Sequence, residues 1–152
     1  REIDSINLRA RQRMIDVVRT ELGMDLKSKR IAILGAAFKP DSDDVRDSPA
    51  LDIAAQIHEA GAEVTVHDPK AIENASKRFP NLTFQSSIEK CLEGADAILH
   101  LTEWKIYRDI DPVAMKKIVR QPIIIDGRNM LNRDLWKSAG WTFRALGRAT
   151  RQ

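Results

Sequence analysis

The chain contains little that could staple it covalently or hold it in a membrane. Of its 152 residues only Cys91 is a cysteine, so no disulfide can close within the chain and a disulfide scaffold is excluded. No apolar run nears the roughly 18 residues that a membrane-crossing helix needs. The charged stretch 1–20 has no apolar signal-peptide core. A reducing, cytoplasmic setting is the expectation. Aromatic residues make up 5% of the chain, and neither a basic helix nor a stacking platform accompanies them, which argues against nucleic acid as a partner. The histidines His58, His67 and His100 lack zinc-site spacing. Asp41, Asp43 and Asp44 lack the ordered acids and distal Glu of a calcium loop, so no metal is expected. No Gly-x-Ser-x-Gly elbow or Ser/His/Asp order is present. Cys91, beside Leu92, reads as a small buried hydrophobe.

The apolar content is 43% and the charged content 31%, enough for one globular domain with its own core. The net charge is +3, unevenly spread: residues 128–152 carry six Arg or Lys against Asp134 alone, whereas residues 41–52 carry five Asp and Arg46. A basic tail of this kind is either a solvated tail or a phosphate-facing surface.

Asp4 to Leu22 predicts one helix, with Ile6, Met14, Ile15, Val18 and Leu22 on an apolar stripe and Gly23 as its stop. Its abrupt start suggests a helix continued from a longer chain. From Arg30 onward, strands alternate with helices. Strands are expected at Ile31–Leu34, Val64–Val66, Leu82–Phe84, Ala95–Leu99, Pro122–Ile125 and Gly140–Phe143. Helices are expected from Pro49 to Gly61 behind a Ser48 cap, at Ala71–Phe79, after Ser87 to Leu92, at Pro112–Val119 and near Asn132–Ser138. The alternation predicts an α/β, Rossmann-like three-layer sandwich with a mostly parallel sheet behind an N-terminal helix. The domain should span residues 29–147, between the helix at 1–23 and a tail at 148–152.

Ligands of such sheets lie beyond the carboxyl ends of the strands. The loop after the first strand has Gly35 where a dinucleotide fold would have Gly-x-Gly-x-x-Gly. It is also long, about 13 residues against a usual 2–6. Phe38 can stack on a base or pack on the sheet, and Lys39 can neutralise a phosphate or remain a surface lysine. Arg46 is either held in ion pairs by its acidic neighbours or presented to a ligand. Asp68 and Asp126 could be read as phosphoacceptors, but Gly35 and Arg128 occupy neighbourhoods where that fold needs clustered acids and a lysine.

Gly35-Ala36-Ala37-Phe38-Lys39-Pro40-Asp41-Ser42-Asp43-Asp44-Val45-Arg46-Asp47-Ser48-Pro49 resembles the G-x-A-F-K-x-x-x-D-D-x-R-x-S-P signature of the UDP-glucose/GDP-mannose dehydrogenases. His67-Asp68-Pro69, Leu101-Thr102-Glu103-Trp104 and Asp126-Gly127-Arg128-Asn129 follow in the family's order. The resemblance spans nearly the whole chain and implies the C-terminal, nucleotide-sugar-binding domain of such an enzyme. The family oxidises the C6 alcohol of a nucleotide-diphosphate sugar to a carboxylate, reducing two NAD through a cysteine nucleophile. The N-terminal Rossmann domain and the Gly-x-x-C-F-x-K-D segment that this requires do not occur here.

The resemblance therefore implies a fragment inactive alone. It implies UDP-glucose as the leading substrate, with GDP-mannose or another UDP-sugar as the alternative, and a homodimer formed through the first helix. It assigns Phe38 and Lys39 to the nucleotide, Arg128 to a second contact with the sugar nucleotide, and Arg46 to NAD. Asp68 and Trp104 match motif positions and are read as structural. A stand-alone nucleotide-sensing module is the other reading.

Overall fold

The computed structural model describes residues 2–146, with side chains from residue 9 onward. The Ile6 side chain and the basic residues Arg148 and Arg151 thus lie outside the described residues.

Among the described residues six strands form one sheet: β1 (Arg30–Leu34), β2 (Glu63–His67), β3 (Thr83–Phe84), β4 (Ala97–His100), β5 (Ile123–Asp126) and β6 (Thr142–Ala145). Their order is β3-β2-β1-β4-β5-β6, and every pairing is parallel. The α/β class is as expected, and the sheet is wholly parallel. The central strands are short apolar runs because both faces are covered: Ile31, Ile33, Leu34, Ile98, Leu99, Ile124 and Ile125 are all buried. The helices are α1 (Glu2–Leu22), α2 (Pro49–Glu59), α3 (Ile72–Arg78), α4 (Ile88–Leu92), α5 (Lys105–Arg108), α6 (Pro112–Lys116) and α7 (Arg133–Ser138). Among the described residues no helix is long and apolar enough to cross a membrane.

The caps follow the sequence. Ser48 Oγ accepts from the Leu51 amide and also donates to the Ala36 carbonyl, so one hydroxyl starts α2 and ties it to the loop after β1. Pro49 occupies the first helical turn. Ser87 and Asn132 cap α4 and α7 in the same way.

Three expectations need correction. The fourth strand starts at Ala97; just before it Asp96 donates its amide to the Arg30 carbonyl and accepts with its carboxylate from the Arg30 amide and the Gln121 side chain, which ties down the entry to the strand. The helix expected to reach Val119 ends at Lys116, and α5, a single turn, gave no periodic signal. The third concerns α1. Met14, Ile15, Val18 and Leu22 are not a stripe left for a second copy, for all four are buried within this chain. α1 packs on α2 and β5 and is pinned by ion pairs from Arg11 to Asp52 and from Arg144 to Glu21. Each such apolar side chain contributes about 1.5–3 kcal/mol on burial. α1 is thereby part of the domain core.

Candidate functional site

The strand order reverses direction between β1 and β4: the chain leaves β1 toward β2 on one side and β4 toward β5 on the other. A parallel sheet opens its ligand crevice at that switch point, beyond the carboxyl ends. Here the crevice is closed at its base. Gly35 has φ +112°, and a Cβ built on it would lie 2.4 Å from the Thr102 Cβ and 2.6 Å from the Thr102 amide nitrogen. Thr102 Oγ1 donates to the Ala37 carbonyl at 2.9 Å. The lone glycine thus serves the approach of two loops to each other.

Two buried carboxylates organise the rim. At the end of β2, Asp68 Oδ2 accepts from the amides of Ala36 and Ala37 and from Trp104 Nε1, and Oδ1 accepts from the amides of Lys70 and Ala71. One side chain so joins the loops that follow β1, β2 and β4, just before Phe38 and Lys39. At the end of β5, Asp126 Oδ1 receives the amides of Arg128 and Asn129 and His100 Nδ1, and Oδ2 receives those of Met130 and Leu131. Burial pushes the Asp126 carboxyl up, but the bonds from His100 and the Leu131 and Arg128 amides outweigh it and hold it below the usual carboxylate range. The acceptor sites of both groups are therefore occupied, which removes the phosphoacceptor reading. It also makes Asp68 and Trp104 structural, as the sequence suggested.

Under these loops lies a buried polar chain. His67 Nδ1 is 2.8 Å from the Tyr107 hydroxyl, and the Tyr107 ring meets both His67 and His100 edge to face. Burial raises the Tyr107 hydroxyl well above its ordinary value and lowers that of His67. A His pKa lowered on folding means that the unfolded chain takes up its proton first. His67 therefore contributes stability that is present above about pH 6.5 and lost as the pH falls. Urea unfolding should show stability dropping from pH 7 toward pH 5 by up to about 1.4 kcal/mol per unit for one proton. His67→Phe should be less stable at pH 7 and flatter over that interval. An unchanged slope in the variant would remove His67 as the source. Cys91 is likewise inert, its thiol pushed up to about 12 by burial.

Phe38 and Lys39 stand out from this frame. Phe38 is 50% exposed, so it does not pack on the sheet, and its amide donates to the Asp44 carbonyl, closing the loop on itself. Lys39 is exposed and has no ion-pair partner among the described residues. Asp41 and Asp47 adopt φ of +61° and +54°, left-handed turns that a short polar side chain tolerates; nothing in the run of acids marks these two as the residues of the bend. Arg46 is held in an ion pair, its Nε and Nη2 each 3.0 Å from an Asp44 oxygen, and this bond lowers the Asp44 carboxyl to about 2. Arg46 is exposed and Asp44 half-buried, and the pair borders an open groove of about 450 Å³ with Asn74, Lys77 and Arg78.

Arg128 lies beyond β5, two strands from the Lys39 loop. Beside it an apolar crevice of about 110 Å³ opens between Met14, Pro49, Ala50, Leu101 and Gly127. No hydrogen bond or ion pair among the described residues joins Lys39 to Arg128. They share one rim, and Arg46 faces a different depression. Glu103, which in the sequence is only one letter of a motif with no local sign of its partner, grips Arg128 with both oxygens.

The fold and this rim define a Rossmann-type nucleotide-binding domain without a dinucleotide loop. Residues 32–133 match the UDP-glucose/GDP-mannose dehydrogenase family, UDP binding domain, and the chain belongs to that family. It is 36% identical over 143 residues to UDP-glucose 6-dehydrogenase TuaD of Bacillus subtilis, covering 93% of this chain and 31% of that protein. It is 39% identical over 136 residues to the UDP-glucose 6-dehydrogenase of Rickettsia bellii, covering 88% and 31%. Among solved structures, a UDP-glucose dehydrogenase from Pyrobaculum islandicum superposes with a TM-score of 0.77 at 27% identity, over 92% of this chain and 30% of that one. An NDP-N-acetyl-D-galactosaminuronic acid dehydrogenase from Methanosarcina mazei gives 0.76 at 30% identity, over 91% and 28%. The chain thus spans about a third of the length of these relatives.

Proposed function

We propose that the chain is the nucleotide-sugar-binding part of an NAD-dependent dehydrogenase that oxidises UDP-glucose to UDP-glucuronate, and that it is inactive without the remainder of that enzyme. The observation that carries this reading is the exposed Phe38–Lys39 pair, set on a loop clamped by Asp68, on the same rim as Arg128. Lys39 and Arg128 meet the anionic oxygens of the diphosphate, and Phe38 lies against the base or ribose. Thr102 packs against Gly35 at the switch point, and the loop there lacks the glycine-rich turn by which a dinucleotide fold approaches a pyrophosphate. NAD therefore belongs to the rest of the enzyme, and Arg46, on its separate groove, is the one residue assigned to reach it. A homodimer through α1 belongs to this reading too, on the exposed flank with Arg9, Gln12 and Arg13, since Met14, Ile15, Val18 and Leu22 are already covered.

Charge-assisted hydrogen bonds are worth about 1.5–3 kcal/mol each, or roughly ten-fold or more in affinity. In the full-length enzyme, Lys39→Ala and Arg128→Ala should each raise the sugar-nucleotide KM about ten-fold or more while leaving the NAD KM nearly unchanged. Arg46→Ala should do the reverse. All three side chains are exposed or half-exposed, so melting temperatures should barely move. Sugar-nucleotide kinetics unaffected by both Lys39→Ala and Arg128→Ala, with the fold intact, would remove this rim as the substrate site.

A further inference from the structure

Arg128 is already engaged without any ligand. Its Nε and Nη2 bond the two oxygens of Glu103 at 2.7 and 3.1 Å. Its own amide is fixed by Asp126 at 2.9 Å. Glu103 follows β4, the strand between β1 and β5, so the loop that carries it lies between the loop that carries Lys39 and the loop that carries Arg128.

A partly exposed ion pair contributes at most about 1 kcal/mol to stability. The consequence of this one is orientation. Two long, flexible side chains are replaced by one planar fork that bridges two loops. A guanidinium has five N–H donors. Glu103 takes the Nε–H and one Nη2–H, which leaves the second Nη2–H and both Nη1–H for another acceptor. The pair therefore does not block Arg128. It holds one edge and offers the other.

We infer that Glu103 is a positioning residue for the sugar nucleotide: it holds Arg128 by the Nε edge so that the Nη1 edge is presented, already ordered, to an anionic oxygen of the ligand. This rests on the reading of Arg128 given above. Burial alone would raise the Glu103 carboxyl, but the Arg128 bond and its other partners hold it below the ordinary value. It therefore remains ionised across the neutral range, as the role requires.

The test is a double-mutant cycle in the full-length enzyme with Glu103→Gln, Arg128→Ala and the pair. UDP binding is measured by calorimetry, and UDP-glucose and NAD kinetics at pH 5–8. Glu103→Gln keeps the shape of the side chain, loses the charge and leaves one acceptor. It should weaken UDP binding and raise the UDP-glucose KM about ten-fold, with kcat and the NAD KM little changed. Glu103→Asp should retain part of the affinity. In the Arg128→Ala background Glu103→Gln should do nothing further.

Tighter UDP binding in Glu103→Gln would show a competitor that the ligand must displace, and would overturn the inference. So would unchanged binding, or a loss of equal size with and without Arg128. If Arg128→Ala itself has no effect on UDP binding, the assignment of the rim fails as well; if Arg128→Ala acts and Glu103→Gln does not, the positioning role fails alone.

Discussion

Asp126→Ala is expected to cost the domain on the order of 4 kcal/mol. The carboxylate is fully buried and receives four consecutive backbone amides, from Arg128 to Leu131, besides His100 Nδ1. Removing it strands up to five donors. An unpaired buried donor costs about 1–3 kcal/mol, although water entering the hole and relaxation of the turn recover part of this. A domain has only about 5–15 kcal/mol in total, so the melting temperature should drop by on the order of 10 °C. Asp126→Asn should fall in between, since its amide group turns a donor toward amides that are donors themselves.

The pH dependence has a definite sign. The folded pKa is depressed, so the stabilisation is present above the unfolded value near 3.9 and is lost as the pH falls through the folded value. The acid limb of the wild-type unfolding curve should accordingly flatten below pH 4 in Asp126→Asn. A melting loss of under about 2 °C in Asp126→Ala would mean that the turn is held by other means.

Gly35→Ala should be almost as damaging and, unlike the first, should act on the ligand loop directly. The residue sits at φ +112°, where an L side chain is strained by roughly 1–2 kcal/mol. Its new Cβ would also strike Thr102, whose side chain and amide lie at 2.4–2.6 Å. Thr102 cannot yield cheaply: it is buried, its amide bonds the Leu34 carbonyl and its hydroxyl bonds that of Ala37. Overpacking of this kind adds about 1–3 kcal/mol. The loop that carries Phe38 and Lys39 is the element displaced. Differential scanning calorimetry should show a loss of about 3 kcal/mol, and UDP titration of the full-length enzyme should show weakened binding even where the protein remains folded. Thr102→Ala should not rescue it, because the backbone contact and the φ strain remain. Wild-type melting and UDP affinity in Gly35→Ala would refute both arguments.

Much of the molecule is written locally. Continuous apolar runs mark β1, β4 and β5, because a parallel strand is buried on both faces and has no polar side to alternate with. Ser48-Pro49 announces α2, because a cap acts within one turn of chain. The order of strands and helices then permits few topologies. With the family signature, that carried the reading from composition to a nucleotide rim.

What the sequence could not decide depends on partners far along the chain. Asp68 and Asp126 were candidate reactive acids until folding surrounded each with five donors, among them the Ala36 and Ala37 amides more than 30 residues from Asp68. The stripe on α1 was equally suited to a second copy or to its own sheet, since amphipathicity states that a face must be covered and not by what. Lys39 and Arg128 looked alike as basic residues past strand ends. Tertiary structure left Lys39 without an ion-pair partner among the described residues and gave Arg128 a carboxylate 25 residues away. A hydrogen bond is decided by a few tenths of an ångström between groups that only the closed sheet brings together, whereas burial is decided by residue type along a few turns of chain.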